Sequence, residues 1–145
     1  MRKSVWSVLL AGLLTMTGCT FETSDNGSLD GYWQLTSVDS LANPSSTDMR
    51  ESGFYWAVQA RLLEVRNVKT SLVRVFFRFE RTDGKLILSN PVASERLEGD
   101  SMITDVTQLR PYGLTRLNDT LEVLRLDNER MILESEIVRM HFRKY

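Results

Sequence analysis

Few side chains in this 145-residue sequence could do chemistry unaided. One cysteine, Cys19, and one histidine, His141, are present, so no disulfide can close within the chain and no Cys/His cluster can hold zinc. His141 falls in the run Val138 to Tyr145, where Val138, Met140 and Phe142 alternate with Arg139, His141 and Arg143, which turns the imidazole away from the apolar face. A base needs a nucleophile within hydrogen-bond reach, and no spacing supplies one. Asp and Glu are scattered, with no pair singled out for acid–base work. The chain therefore reads as a non-enzyme without cofactor or metal. What remains is the Cys19 thiol, and its context is informative. Met1-Arg2-Lys3 precedes an apolar run, Val5 to Thr17, that stops at Gly18-Cys19. Positive charge, a short apolar core and a small residue make up an export signal. The run is shorter than the roughly 20 residues a membrane-spanning helix requires.

Met16-Thr17-Gly18-Cys19 resembles the lipobox of bacterial lipoproteins, with Met16 where leucine is usual. The resemblance implies that residues 1–18 are removed and that Cys19 is acylated by palmitate-type chains that anchor the protein in a membrane. Several chains hold durably where a single one binds only reversibly. Residues 19–29 are polar and turn-rich and read as a flexible tether, which at about 3.5 Å per residue reaches roughly 40 Å. Residues 30–145 form the domain. Gly99-Asp100-Ser101-Met102 resembles the serine block of an esterase superfamily, but Val138 stands where the aspartate of its Asp-x-x-His partner belongs, so that reading is dropped.

Taking Arg2 and Lys3 from the 18 basic residues leaves a net charge of −3 against 19 acidic ones, which argues against nucleic acid as a partner. Arginine outnumbers lysine 14 to 4. That excess reads as ion pairs on a solvated strand face more readily than as a site for acidic ligands.

Beyond the tether the hydrophobic period is two. Gly31 to Leu41 is a predicted strand, with Trp33, Leu35 and Ser37 on one face and Tyr32, Gln34 and Thr36 on the other. A loop follows at Asn43-Pro44-Ser45-Ser46. Phe54 to Arg66 alternates through Trp56, Val58, Ala60 and Leu62, then slips phase to Leu63 and Val65, which predicts a bulge in one long strand. Ser71 to Thr82 places Val73, Val75, Phe77 and Phe79 on one face, and Asp83-Gly84 turns it into Lys85 to Asn90. Pro91 to Gln108 reads as loop with one short strand or helical turn. Thr120 to Asp127, Met131 to Ser135 and Val138 to Tyr145 complete the set. Short strands joined by tight turns, with no long helix, predict an all-β fold: an antiparallel up-and-down barrel of about eight strands, whose closure removes exposed edges, with a two-sheet sandwich as the alternative.

Gly31-Tyr32-Trp33 matches the Gly-x-Trp that opens the first strand of lipocalins. With Phe54 to Leu63, Leu109-x-x-Tyr112-Gly113-Leu114 and the terminal His-Phe-Arg-Lys-Tyr, nearly all of the mature chain resembles the lipocalin-like domain lipoproteins of Bacteroidales, a calycin-like group. The resemblance implies a small barrel on an outer membrane, closed at one end by Trp33 under a basic residue, Arg143 or Lys144. It also implies that Asp followed by Ser or Thr and a small apolar residue can carry an O-linked glycan, which makes Ser40, Ser101 and Thr120 candidate acceptors.

Two functional readings follow. In the first, Trp33, Leu35, Trp56, Val58, Val75, Phe77, Phe79, Met140 and Phe142, with Val73, Met131 and Leu133, line a cup for a small apolar or amphipathic ligand. In the second, these side chains fill the barrel and an outer face around Tyr32 and Phe76 meets other molecules, protein partners being unspecified.

Overall fold

The structure is a computed structural model that describes residues 25–95 and 99–145. Residues 1–24, on which the predicted export signal, Cys19 and most of the predicted tether fall, lie outside the described residues. No helix among those described is long and apolar enough to cross a membrane.

Eight strands close an all-antiparallel barrel. In order around the wall they are β1 (Gly31–Ser40), β3 (Phe54–Gln59), β4 (Leu62–Asn67), β5 (Val75–Thr82), β6 (Lys85–Glu95), β8 (Asp119–Leu126), β9 (Arg130–Glu134) and β10 (Val138–Lys144). Antiparallel pairing of β10 with β1, from Trp33 opposite Lys144 to Ser40 opposite Val138, closes the ring. Two short strands hang from it: β2 (Ser46–Asp48) on β1 and β7 (Gly99–Met102) on β6.

The predicted strands in the C-terminal third and the Asp83-Gly84 hairpin stand where the patterning put them. Other local expectations need correction. The phase slip in Phe54 to Arg66 is a two-residue hairpin, Gln59 pairing with Leu62 around Ala60-Arg61. It hid because Ala60 takes the left-handed conformation, φ +53°, that turns of this kind usually give to Gly or Asn. The bulge belongs in β1, where register shifts between Leu35 and Ser37. That turns Val38 onto the core and leaves Ser37 off the face it was predicted to share with Trp33. Pro91 lies within β6, not in a loop. Asn90 and Pro91 together oppose Phe77, and at such a bulge a residue without an N–H is tolerated. The bend lets one strand pair with β8 through its first half and β7 through its second. The loop at Asn43–Ser46 leads into β2, which was not anticipated. Val73 precedes β5 and is only half-buried.

Gly27–Leu29, which the sequence pattern assigns to the tether, form a 3-10 turn whose Leu29 is buried against the barrel. Inward residues of all eight barrel strands then meet along the axis, with Trp33, Trp56, Phe77 and Phe142 the largest fully buried side chains.

Candidate functional site at the barrel mouth

The two ends of the barrel are built differently. At the first, Trp33 donates from Nε1 to the Leu29 carbonyl at 2.9 Å, tying the N-terminal turn across the opening. Lys144, directly opposite in register, lays its Nζ 4.8 Å from the Trp33 ring centroid and donates to the Ser28 carbonyl at 2.9 Å. Gly31 takes φ +130°, and a Cβ there would press on the Lys144 side chain at 3.2 Å. The glycine two residues before the tryptophan thus makes room for the cation that covers it. Arg143, the other residue proposed for that closure, takes no part in it. It points to the outer wall and donates from Nε to Gln34 Oε1 at 2.7 Å.

At the opposite end the chain between β7 and β8 folds over the opening. Two 3-10 turns, Val106–Gln108 and Arg110–Tyr112, bring Leu109, Tyr112 and Leu114 into the core as a plug. Asp119, itself buried, holds the end of this segment by accepting from the Thr115 and Arg116 amides at 2.8 and 3.3 Å. Gly113, at φ +80°, passes so close to β10 that a Cβ would stand 2.9 Å from Met140 Sδ.

Between plug and wall the barrel mouth keeps a cleft of about 220 Å³. Leu35, Val38, Met49, Ile137, Val138 and Met140 supply its apolar walls; Tyr112 and Gly113 form its plug side, and Arg110 brings a positive charge. Sites for drug-sized molecules run to about 300–1,000 Å³. This one suits a single ring or a short chain end, with Arg110 available to its polar terminus.

Of the residues proposed as a cup, only Leu35 and Met140 line this cleft. Trp33, Trp56, Val58, Val75, Phe77, Met131, Leu133 and Phe142 are packed side chain against side chain deeper in the axis, each at most 3% exposed. Phe79 is half-buried against the same core. Sequence reasoning missed Val38, Met49, Ile137 and Val138. Only the β1 bulge and long-range pairing of β1 with β10 bring them together.

Tyr112 donates to the Val73 carbonyl at 2.6 Å, and burial, with the Glu64 charge adding to it, pushes its phenol up to about 12. The folded state keeps this proton where the unfolded chain loses it near 10. Stability therefore falls as pH rises from about 10 to about 12. A urea titration series should show that loss in the wild type and a shallower one in Tyr112→Phe.

His141 faces the outer wall, its Nε2 2.7 Å from Asp39 Oδ2. Hydrogen bonds from Ser46 and then His141 hold the Asp39 carboxyl below the usual carboxylate range. Among the described residues no three His, Cys, Asp or Glu side chains gather as a metal site. Ser101 and Thr120 are exposed on β7 and β8, while Ser40 is half-buried at the end of β1. On the outer face Tyr32 stacks on Tyr55 with centroids 4.9 Å apart, and Tyr145 meets both edge-on. Phe76 is half-buried, with the Arg74 guanidinium 5.4 Å from its ring centroid.

Two solved structures share this architecture. A lipocalin-like protein from Bacteroides uniformis ATCC 8492 superposes with TM-score 0.62 at 18% identity, over 82% of this chain and 100% of its own. An uncharacterized protein from Bacteroides eggerthii DSM 20697 does so with TM-score 0.53 at 16% identity, over 80% and 98%. At these identities the likeness is one of fold. No curated protein gives a significant match. The sequence profile of the lipocalin-like domain matches residues 14–145, and the chain belongs to that family.

Proposed function

We propose that the protein is a lipoprotein, held on the outer membrane through Cys19, whose barrel binds one small apolar or amphipathic molecule in the mouth cleft. The observation that carries this reading is the position and lining of the cleft: apolar, concave, and at the end opposite the Trp33–Lys144 closure. Arg110 gives an amphipathic ligand a place for a carboxylate or hydroxyl end, and the packed axis limits how deep the molecule enters.

N-phenyl-1-naphthylamine is a suitable probe because it is neutral and its phenyl group is the single ring that the cleft takes, with the naphthalene lying over the half-exposed apolar rim at Ile137. Its fluorescence should rise on addition of the protein. Met49→Trp, which fills the cleft, and Ile137→Arg, which charges its half-exposed rim, should weaken binding at least about tenfold, equal to ~1.4 kcal/mol. Wild-type affinity in both variants would remove the mouth as the site. The anchor is tested by intact mass of the protein from its own host. A chain starting at an acylated Cys19 is the expected species, any mass beyond the acyl chains reports glycans at Ser40, Ser101 or Thr120, and a free Cys19 thiol would sink the lipoprotein reading.

A second reading, a surface interaction protein with a filled core, draws on the packed axis and the Tyr32–Tyr55–Tyr145 cluster. It predicts no response of the probe.

A further inference from the structure

We propose that the outer wall carries a second, separate site, a polar groove that takes a small polyhydroxylated anion, a sugar bearing a carboxylate or a phosphate, on Arg130 and Arg143. The groove is about 470 Å³ and lies between the β2 arm and the outward faces of β1, β9 and β10. This is within the size range of small-molecule sites.

Charge is the first argument. Arg50, Arg66, Arg74, Arg116, Arg125 and Arg139 each meet a carboxylate, as the arginine-rich composition predicted. Among the described residues Arg61, Arg78, Arg81, Arg110, Arg130 and Arg143 do not, and of these Arg130 and Arg143 are direct cross-strand partners on β9 and β10 that line one groove. Like charges facing each other across a sheet are unfavourable. Asp48 also lines the groove, but its carboxylate is chelated by Arg50 Nε at 3.0 and 3.1 Å, so that pair cancels and the excess positive charge stays on Arg130 and Arg143.

Preorganisation is the second. Gln34 faces outward yet is only 6% exposed. It accepts from Arg143 Nε at 2.7 Å and donates from Nε2 to the Arg50 carbonyl at 2.9 Å, clamping two sides of the groove together. Because Arg143 spends Nε on this clamp, its two terminal nitrogens remain for a ligand. Planar guanidinium groups held in this way suit the bidentate geometry of carboxylate and phosphate. Hydroxyls complete the lining. Thr36 gives its proton to the His141 carbonyl at 3.0 Å, so its oxygen accepts from a ligand hydroxyl, and Ser37 stands beside it. Two guanidinium groups over a hydroxyl-bearing wall match an acidic sugar better than a bare inorganic ion.

Nitrogen-15 NMR of the arginine Nε–Hε groups at low salt tests the site, with glucuronate, glucose 6-phosphate and uncharged glucose as probes. Both anions should shift the Arg143 signal and saturate, and glucose should not. Arg130→Gln/Arg143→Gln should bind the anions at least about tenfold more weakly, the worth of one charge-assisted hydrogen bond. Arg125→Gln, whose arginine is already paired with Asp127, should bind as wild type. Phosphatidylglycerol vesicles separate the sources. Capture that glucose 6-phosphate competes away assigns the anion to a lipid headgroup, and no capture alongside glucuronate binding assigns it to a free sugar acid. Failure of either anion to saturate, equal binding of glucose, or wild-type affinity in the double variant would overturn the proposal.

Discussion

Trp33→Ala should lower the unfolding free energy by about 3–5 kcal/mol, the usual cost of truncating a buried aromatic to alanine. A domain of this size has a total of only about 5–15 kcal/mol to lose. Three effects combine at this residue. The indole is fully buried against Trp56, its partner across β1 and β3, and Trp56 in turn packs on Phe142 with centroids 5.1 Å apart. Its Nε1 is the hydrogen bond that holds the Leu29 turn over the barrel end, so truncation frees that turn as well as opening a cavity. It is also the surface on which Lys144 lies. Lys144→Met, which removes the cation and its hydrogen bond to the Ser28 carbonyl but keeps an apolar stem over the indole, should cost about 1–3 kcal/mol. Urea unfolding checks both, and a lower midpoint at unchanged slope is the signature of lost stability. A Trp33→Ala loss no larger than that of Lys144→Met would mean the end closure is not part of the core.

Leu114→Ala should cost about 2–5 kcal/mol and also enlarge the binding site. Leu114 is fully buried and comes from the plug, not the wall, so the space it vacates adjoins the mouth. Apolar cavities stay dry and accept apolar molecules. The variant should therefore unfold at lower urea while binding N-phenyl-1-naphthylamine more tightly than wild type. Reduced binding together with reduced stability would show that the plug shapes the site and does not merely fill space beside it.

Legibility in the sequence followed the range of the interactions. The Asp83-Gly84 hairpin and the last three strands were readable because period-two alternation and turn residues are local. The barrel end was readable in part. Gly31 and Trp33 carry a pattern with a physical basis, a positive φ beside a passing lysine, yet choosing Lys144 over Arg143 required the β1–β10 register. The Ala60-Arg61 turn was unreadable because alanine sits where Gly or Asn normally signals it. The mouth and the outer groove were harder still. Both depend on the bulge near Thr36 and on a three-residue strand at Ser46–Asp48, and the groove depends also on which arginine faces which across β9 and β10. No local pattern encodes these. The cup was assembled from residues that share a face, and in a barrel this narrow sharing a face means packing against one another, so the space is left at the end where the wall bends.

Native mass spectrometry of the protein purified from its own host bears most directly on the mouth as a binding site. One small apolar molecule per chain, released on denaturation and absent from Met49→Trp made in the same host, is the expected result. A wild-type protein that flies bare and also leaves N-phenyl-1-naphthylamine dark would mean that the barrel is a filled scaffold, with its function on the outer wall.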